Sequence, residues 1–279
     1  MTDSVRIPNP SVPSRIDIDV GAAKVPVDAV QLDAVLDWAI RSRRSSCWKV
    51  VVTPNLHHLR MVREAPDLAQ RYSDAALSLA DGWPVAWLAS RASGIRVRRV
   101  AGSDLFEAII GSRVDGVPLV LVGGTPGVPM SSLEDSCRQR GWRVTRELAP
   151  RDELVDDCRR AELLTRIARA GDQGVIVFGV GTPRQEQLAV ELAAESGGGV
   201  ALCLGMSINF SAGVVRRAPY LVQAIGFEWL FRALTEPRRL LLRYVGDLRA
   251  LCFFIRRNPR SKSHCHFTKA SDSTFRGSD

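Results

Sequence analysis

Nowhere in its 279 residues does the chain approach the roughly 20 uninterrupted apolar residues of a membrane span, so it is not expected to cross a bilayer. Residues 1–16 also lack the apolar core of a secretory signal. Asp3, Arg6 and Arg15 alternate there with Pro8, Pro10 and Pro13, as in a loose cytoplasmic lead-in. The six cysteines are scattered with no CxxC pair, which argues against a zinc knuckle and a disulfide framework and leaves reduced thiols as the expectation. The glycine-rich stretch around Gly179 and Gly181 contains neither GxGxxG nor the GK[ST] of a P-loop, so neither a dinucleotide fold nor an ATPase is supported. His57 and His58 have no carboxylate at zinc spacing, and no metal site is assigned.

What is present is apolar material for one substantial core, 46% of the residues, and a net charge of +8 that calls for an anionic partner. Between 48 and 204 short apolar runs alternate with helix-like segments, the pattern of an α/β fold with a parallel, Rossmann-like sheet. Strands are predicted over 48–53, 76–80, 118–122, 142–148, 174–178 and 200–204, and helices over 28–41, 104–112 and 153–170. In such sheets ligands collect beyond the carboxyl ends of the strands. The strand exits here read Thr53-Pro54-Asn55, Asp81-Gly82-Trp83-Pro84, Gly123-Gly124-Thr125-Pro126-Gly127, then 179–186 and 205–213. Small and polar residues gathered at several exits suit a diphosphate lying close to backbone amides, although any one such loop is also an ordinary tight turn.

Among these residues Asp81 is the leading candidate for a general base, since a carboxylate at a strand exit can take the proton of an attacking hydroxyl. The plainer alternative is that it caps the helix beginning near Pro84. Thr53 and Asn55 suit a sugar hydroxyl or phosphate oxygen, or else cap the helix starting at Leu56. Arg99 suits a diphosphate, though Arg96, Arg98 and Arg99 together also read as a solvated basic turn. Gln185 and Glu186 follow the glycine-rich loop at a helix start.

Beyond Pro219 two helical segments are predicted, 220–234 and 238–257, mixing Phe227, Trp229, Phe231, Leu240, Tyr244 and Phe254 with Arg232, Arg238, Arg239, Arg243 and further arginines, and Arg216 and Arg217 come just before them. That composition matches helices lying in an anionic membrane interface. The expected organisation is a loose segment 1–24, an α/β core 25–218, a helical membrane-associating appendage 219–257 and a disordered tail 258–279.

The ordered set of Val52-Thr53-Pro54-Asn55, Ala80-Asp81-Gly82, the stretch 99–105, 121–127, 179–186, Arg217-Ala218-Pro219 and 227–239 resembles the WecG/TagA/CpsF glycosyltransferase family. The resemblance implies a metal-independent, inverting transfer, without a cofactor, from a UDP-sugar to an undecaprenyl-diphosphate-linked saccharide at the inner membrane face. By position it makes Asp81 the base and Thr53 its partner, with Asn55, Arg99, Gly123, Gly124, Gly181, Gln185, Glu186 and Asn209 on the donor side. Arg217, Arg232, Arg239 and Arg243 would reach toward the lipid diphosphate. Two departures stand out: Asn209 occupies a place where many relatives have aspartate, and 147–152 replaces an expected Gly-Tyr-Phe element. Asn209 is the feature that favours the alternative, a catalytically inactive sugar-nucleotide-binding regulator. Nucleic acid is disfavoured as a partner, because the arginines are interleaved with apolar residues and no recognised module is present. A homo-oligomer is compatible with the sequence.

Overall fold

A strand stands where a loose lead-in was expected, and a second follows where the core was to begin. In the computed structural model, which describes residues 14–124, 127, 130–215, 218–219 and 237–261 (side chains of 237–242 excepted), β1 (Arg15–Asp19) and β2 (Lys24–Asp28) pair as an antiparallel hairpin. Alternation is the cause. Ile16, Ile18, Val25 and Val27 all face inward and are buried. The signal was short and flanked by charge, and Asp28 looked like a helix start. Instead Asp28 ends β2, where its buried carboxylate binds the Arg15 guanidinium at 2.8 and 2.9 Å and accepts the Ser78 N–H at 2.8 Å. Helix α1 (Leu32–Ser42) accordingly begins four residues later than position 28.

All six predicted strands are present: β3 (Trp48–Val52), β4 (Leu77–Ser78), β5 (Val117–Gly123), β6 (Trp142–Glu147), β7 (Gly174–Gly179) and β8 (Gly199–Cys203). They form one parallel sheet in the order β4-β3-β8-β7-β5-β6. Near-continuous apolar runs such as Leu119-Val120-Leu121-Val122 and Val175-Ile176-Val177-Phe178 are what a sheet covered on both faces requires, and all eight of these side chains are buried. β4, at one edge of the sheet, has two residues rather than its predicted five.

The helices in chain order are α2 (Leu56–Glu64), α3 (Ala69–Ser73), α4 (Trp83–Ser93), α5 (Gly102–Gly111), α6 (Ser131–Gln139), α7 (Arg151–Val155), α8 (Asp157–Gly171), α9 (Arg184–Leu192), α10 (Ser207–Ser211) and α11 (Pro237–Arg257). The single helix expected over 153–170 is broken at Asp156, whose extended backbone lets its Oδ1 accept the Arg159 N–H at 3.0 Å and cap α8. One core cluster joins the hairpin, α2, α4, α8, α9 and α11 on one side of the sheet; the other joins α1, α5 and α6 on the opposite side.

The terminal helix packs Ala250, Leu251 and Phe254 into the protein core, whereas Val245 and Leu248 stay exposed. Phe253 lies under the Arg63 guanidinium, 4.0 Å from the ring centroid, and the helix end is tied to the hairpin through Asn258 and Asp19. The segment 220–234 lies outside the described residues. No helix among the described residues is long and apolar enough to cross a membrane.

Candidate active site

The exits of β3, β4 and β8 are held together by short hydrogen bonds. Thr53, just past β3, donates from Oγ1 to the Cys203 carbonyl oxygen at 2.8 Å, joining the β3 and β8 exits. The Asp81 N–H donates to the Pro54 carbonyl at 3.0 Å, which sets the β4 exit beside them. Gly82 follows with φ +92°, a left-handed turn open to glycine, and serves as the N-cap of α4 without any side-chain cap bond. Asp81 thus stands one residue before the cap of that helix, and it lines a cleft.

Asn55 does act as a cap. Its Oδ1 accepts the N–H groups of His57 and His58, while His58 Nδ1 accepts the Asn55 N–H at 3.0 Å. That bond fixes the neutral tautomer with the His58 proton on Nε2, which faces Glu186 Oε1 at 3.7 Å. Burial, reinforced by the positive fields of His57 and Arg243, pushes the His58 pKa down to about 3. Glu186 is buried too, and desolvation raises its carboxyl above the usual range. A histidine that the fold holds neutral contributes stability above its unfolded pKa near 6.5, and this contribution is lost as pH falls toward 3 because the unfolded chain takes up the proton first. His58→Gln keeps a capping side chain at the third helical position while removing the titration. Urea midpoints measured from pH 7 to pH 4 are expected to fall less steeply in that variant; parallel slopes would show that His58 does not carry the effect.

The cleft measures about 510 Å³ and lies over the carboxyl ends of β3, β4, β7 and β8. Thr53, Asn55, Asp81, Arg99, Gly181 and Gln185 line it, together with Arg243 and Tyr244 of α11. Arg99 is steadied by Asp104 of α5 at 3.0 Å. Gln185 is almost wholly buried; its Nε2 donates to Glu186 Oε1 at 2.8 Å and its Oε1 accepts the Gly205 N–H at 2.9 Å, so it pins the β8 exit loop. Ala101 and Ser103 at the start of α5, and Thr182 and Arg184 at the start of α9, bring two helix N-termini to the same space. An anion there meets the positive ends of two helix dipoles.

Residues 20–264 match the glycosyl transferase WecG/TagA/CpsF family. The chain belongs to that family. Membership makes it a glycosyltransferase and implies, in general terms, a sugar-nucleotide donor and a lipid-linked acceptor.

Four sequence candidates in this glycosyltransferase, Gly123, Gly124, Glu186 and Asn209, are not among the residues lining the cleft. A Cβ at Gly123 would stand 3.1 Å from the Gly179 carbonyl carbon, so that glycine lets the β5 and β7 exits pack closely. Asn209 is buried on α10 with its Oδ1 lacking a hydrogen-bond partner among the described residues. Arg217 and Arg232 lie outside the described residues, and so does the Arg239 side chain.

The structure also places at the site of this glycosyltransferase residues that sequence reasoning did not single out. Asp247 is buried on α11, with its Oδ1 3.3 Å from both His57 Nδ1 and Arg60 Nη1 of α2. Arg60 Nη1 donates further to the Arg243 carbonyl oxygen at 3.1 Å. This clamp sets α11 beside the cleft and so positions Arg243 and Tyr244. A signal was available: Asp247 is the lone acid in a helix rich in arginine, and it shares one face with Ala250, Leu251 and Phe254. Arg184 and Tyr244 carried no comparable mark. Among the described residues no group of three or more His, Cys, Asp or Glu could hold a metal ion.

Proposed function

We propose that the protein is an inverting glycosyltransferase that moves a hexosyl or N-acetylhexosaminyl group from a UDP-sugar to a polyprenyl-diphosphate-linked saccharide. The setting is the inner face of the cell membrane, in the assembly of a surface polysaccharide or teichoic acid. One observation carries the proposal: a strand-exit carboxylate, Asp81, shares a single cleft with Arg99, two helix N-termini and the α11 residues Arg243 and Tyr244.

In this scheme the donor diphosphate lies against the starts of α5 and α9, with Arg99 and Arg184 as its counter-charges. Asp81 takes the proton from the acceptor hydroxyl. The freed oxygen attacks the anomeric carbon from the face opposite the diphosphate, the carbon–oxygen bond to UDP breaks, and UDP departs with the electron pair. Fixed guanidinium groups and backbone amides meet the developing charge on the leaving group without reorganisation, so that no metal is required by the scheme. Arg243 serves the acceptor side, where a lipid diphosphate also needs a cationic partner.

A panel of UDP-sugars offered with a short-chain polyprenyl-diphosphate saccharide tests the proposal. UDP release is expected only when both substrates are present, unaffected by EDTA, with NMR of the product showing an inverted anomeric centre. Retention would defeat the mechanism. Tight nucleotide-sugar binding with no transfer to any acceptor would mark a regulator instead.

A further inference from the structure

A second pocket, of about 570 Å³, lies apart from the cleft, between the carboxyl-terminal half of α4 and the chain just beyond α11. Its lining includes Trp87, Ser90, Arg91, Ile95, Arg96 and Arg260, with no carboxylate among the described lining residues. Its frame is hydrogen-bonded. Arg91 Nε donates to the Asn258 carbonyl at 3.0 Å, the Ser261 N–H donates to the Arg91 carbonyl at 3.0 Å, and the Arg91 guanidinium sits 5.6 Å from the Trp87 ring centroid. A concave wall whose charged lining residues, among those described, are all arginines fits a phosphate ester, for which guanidinium forks are the matching donors.

The rim points to the source of that phosphate. Trp87 is 41% exposed and Ile95 45%, and one turn earlier on α4 Trp83 is 43% exposed where it lines the cleft. At a spacing of four residues Trp83 and Trp87 share a helix face, so an apolar aromatic band runs from the cleft mouth to the arginine pocket. Tryptophan beside guanidinium groups is the composition of a protein surface seated at the headgroup level of a bilayer. On the described part of α11 the exposed apolar residues are the aliphatic Val245 and Leu248, whereas the α4 face combines exposed tryptophans with a basic pocket.

We propose that this pocket binds the phosphodiester headgroup of an anionic phospholipid, with Trp87 and Ile95 seated in the interface, and that it thereby turns the cleft mouth toward the bilayer. The proposal rests on the membrane-surface part of the function above and not on its transfer chemistry. Flotation of the full chain with phosphatidylglycerol or phosphatidylcholine vesicles tests it, alongside transfer to a water-soluble acceptor analogue.

Arg96 and Arg260 are exposed and stand outside the catalytic cleft. Each basic residue at an anionic leaflet contributes a factor of about five in partitioning, so Arg96→Gln with Arg260→Gln is expected to weaken phosphatidylglycerol binding about tenfold or more. Transfer to the soluble acceptor and thermal melting should stay unchanged. Trp87→Ala should weaken vesicle binding several-fold with no change of mass by sedimentation. Undiminished flotation of the double variant would overturn the headgroup site while leaving the transfer chemistry standing. Three other results would overturn it too: equal wild-type binding to phosphatidylcholine, release by inorganic phosphate at constant ionic strength, or a Trp87→Ala change in self-association alone.

Discussion

Asp81→Asn is expected to lower turnover by about 10²-fold or more, with UDP-sugar affinity kept within a few-fold. The substitution preserves shape and hydrogen-bonding reach but removes the ability to accept a proton. The local structure can bear the change, because the backbone at this position is anchored independently through the Asp81 N–H and the Pro54 carbonyl, and the turn is made by Gly82. The effect should therefore fall on kcat rather than on folding or on donor binding, and the pH–rate profile should lose its acidic limb. Near-wild-type turnover with an unaltered pH profile would remove Asp81 from the chemistry.

Asp247→Ala should lower turnover by about 10- to 100-fold through geometry alone, since displacements on the order of 1 Å at a catalytic centre cost rates of that size. The aspartate touches His57 and Arg60 at the α2 side of the cleft that Arg243 and Tyr244 also line. Deleting it removes the buried acceptor of Arg60 and leaves that cation only Glu64 and the Arg243 carbonyl, so stability should also fall. Asp247→Asn retains an oxygen that can still accept from Arg60 and His57, so it should keep a larger share of both activity and stability. That ranking separates positioning from chemistry. Full activity in the alanine variant, or an asparagine variant as poor as alanine, would show that the clamp does not govern α11.

The sheet was legible because its strands are buried on both faces, which writes them as unbroken apolar runs such as 119–122 and 175–178. Exit loops are legible for a related reason: a strand-to-helix turn demands glycine or proline at particular angles, as Gly82 illustrates. The hairpin was not, since Asp17, Asp19 and Lys24 interrupt it and its partners lie far along the chain. Asn55 shows how a residue type leaves roles open: the same side chain lines the cleft and satisfies two helix N–H groups. The terminal helix was legible as amphipathic, but which face meets protein depends on Asp247 finding His57 and Arg60 about 190 residues away, and no local pattern encodes that meeting.

The bonds between Asp19 and Asn258, 239 positions apart, close the fold on itself. Because Phe253 also packs against Gly21, the opening hairpin and the final helix must separate together or not at all. The amide protons of β1 thus become reporters of events at the opposite end of the polypeptide: whatever swings α11 aside should quicken exchange in strands that never touch the substrate.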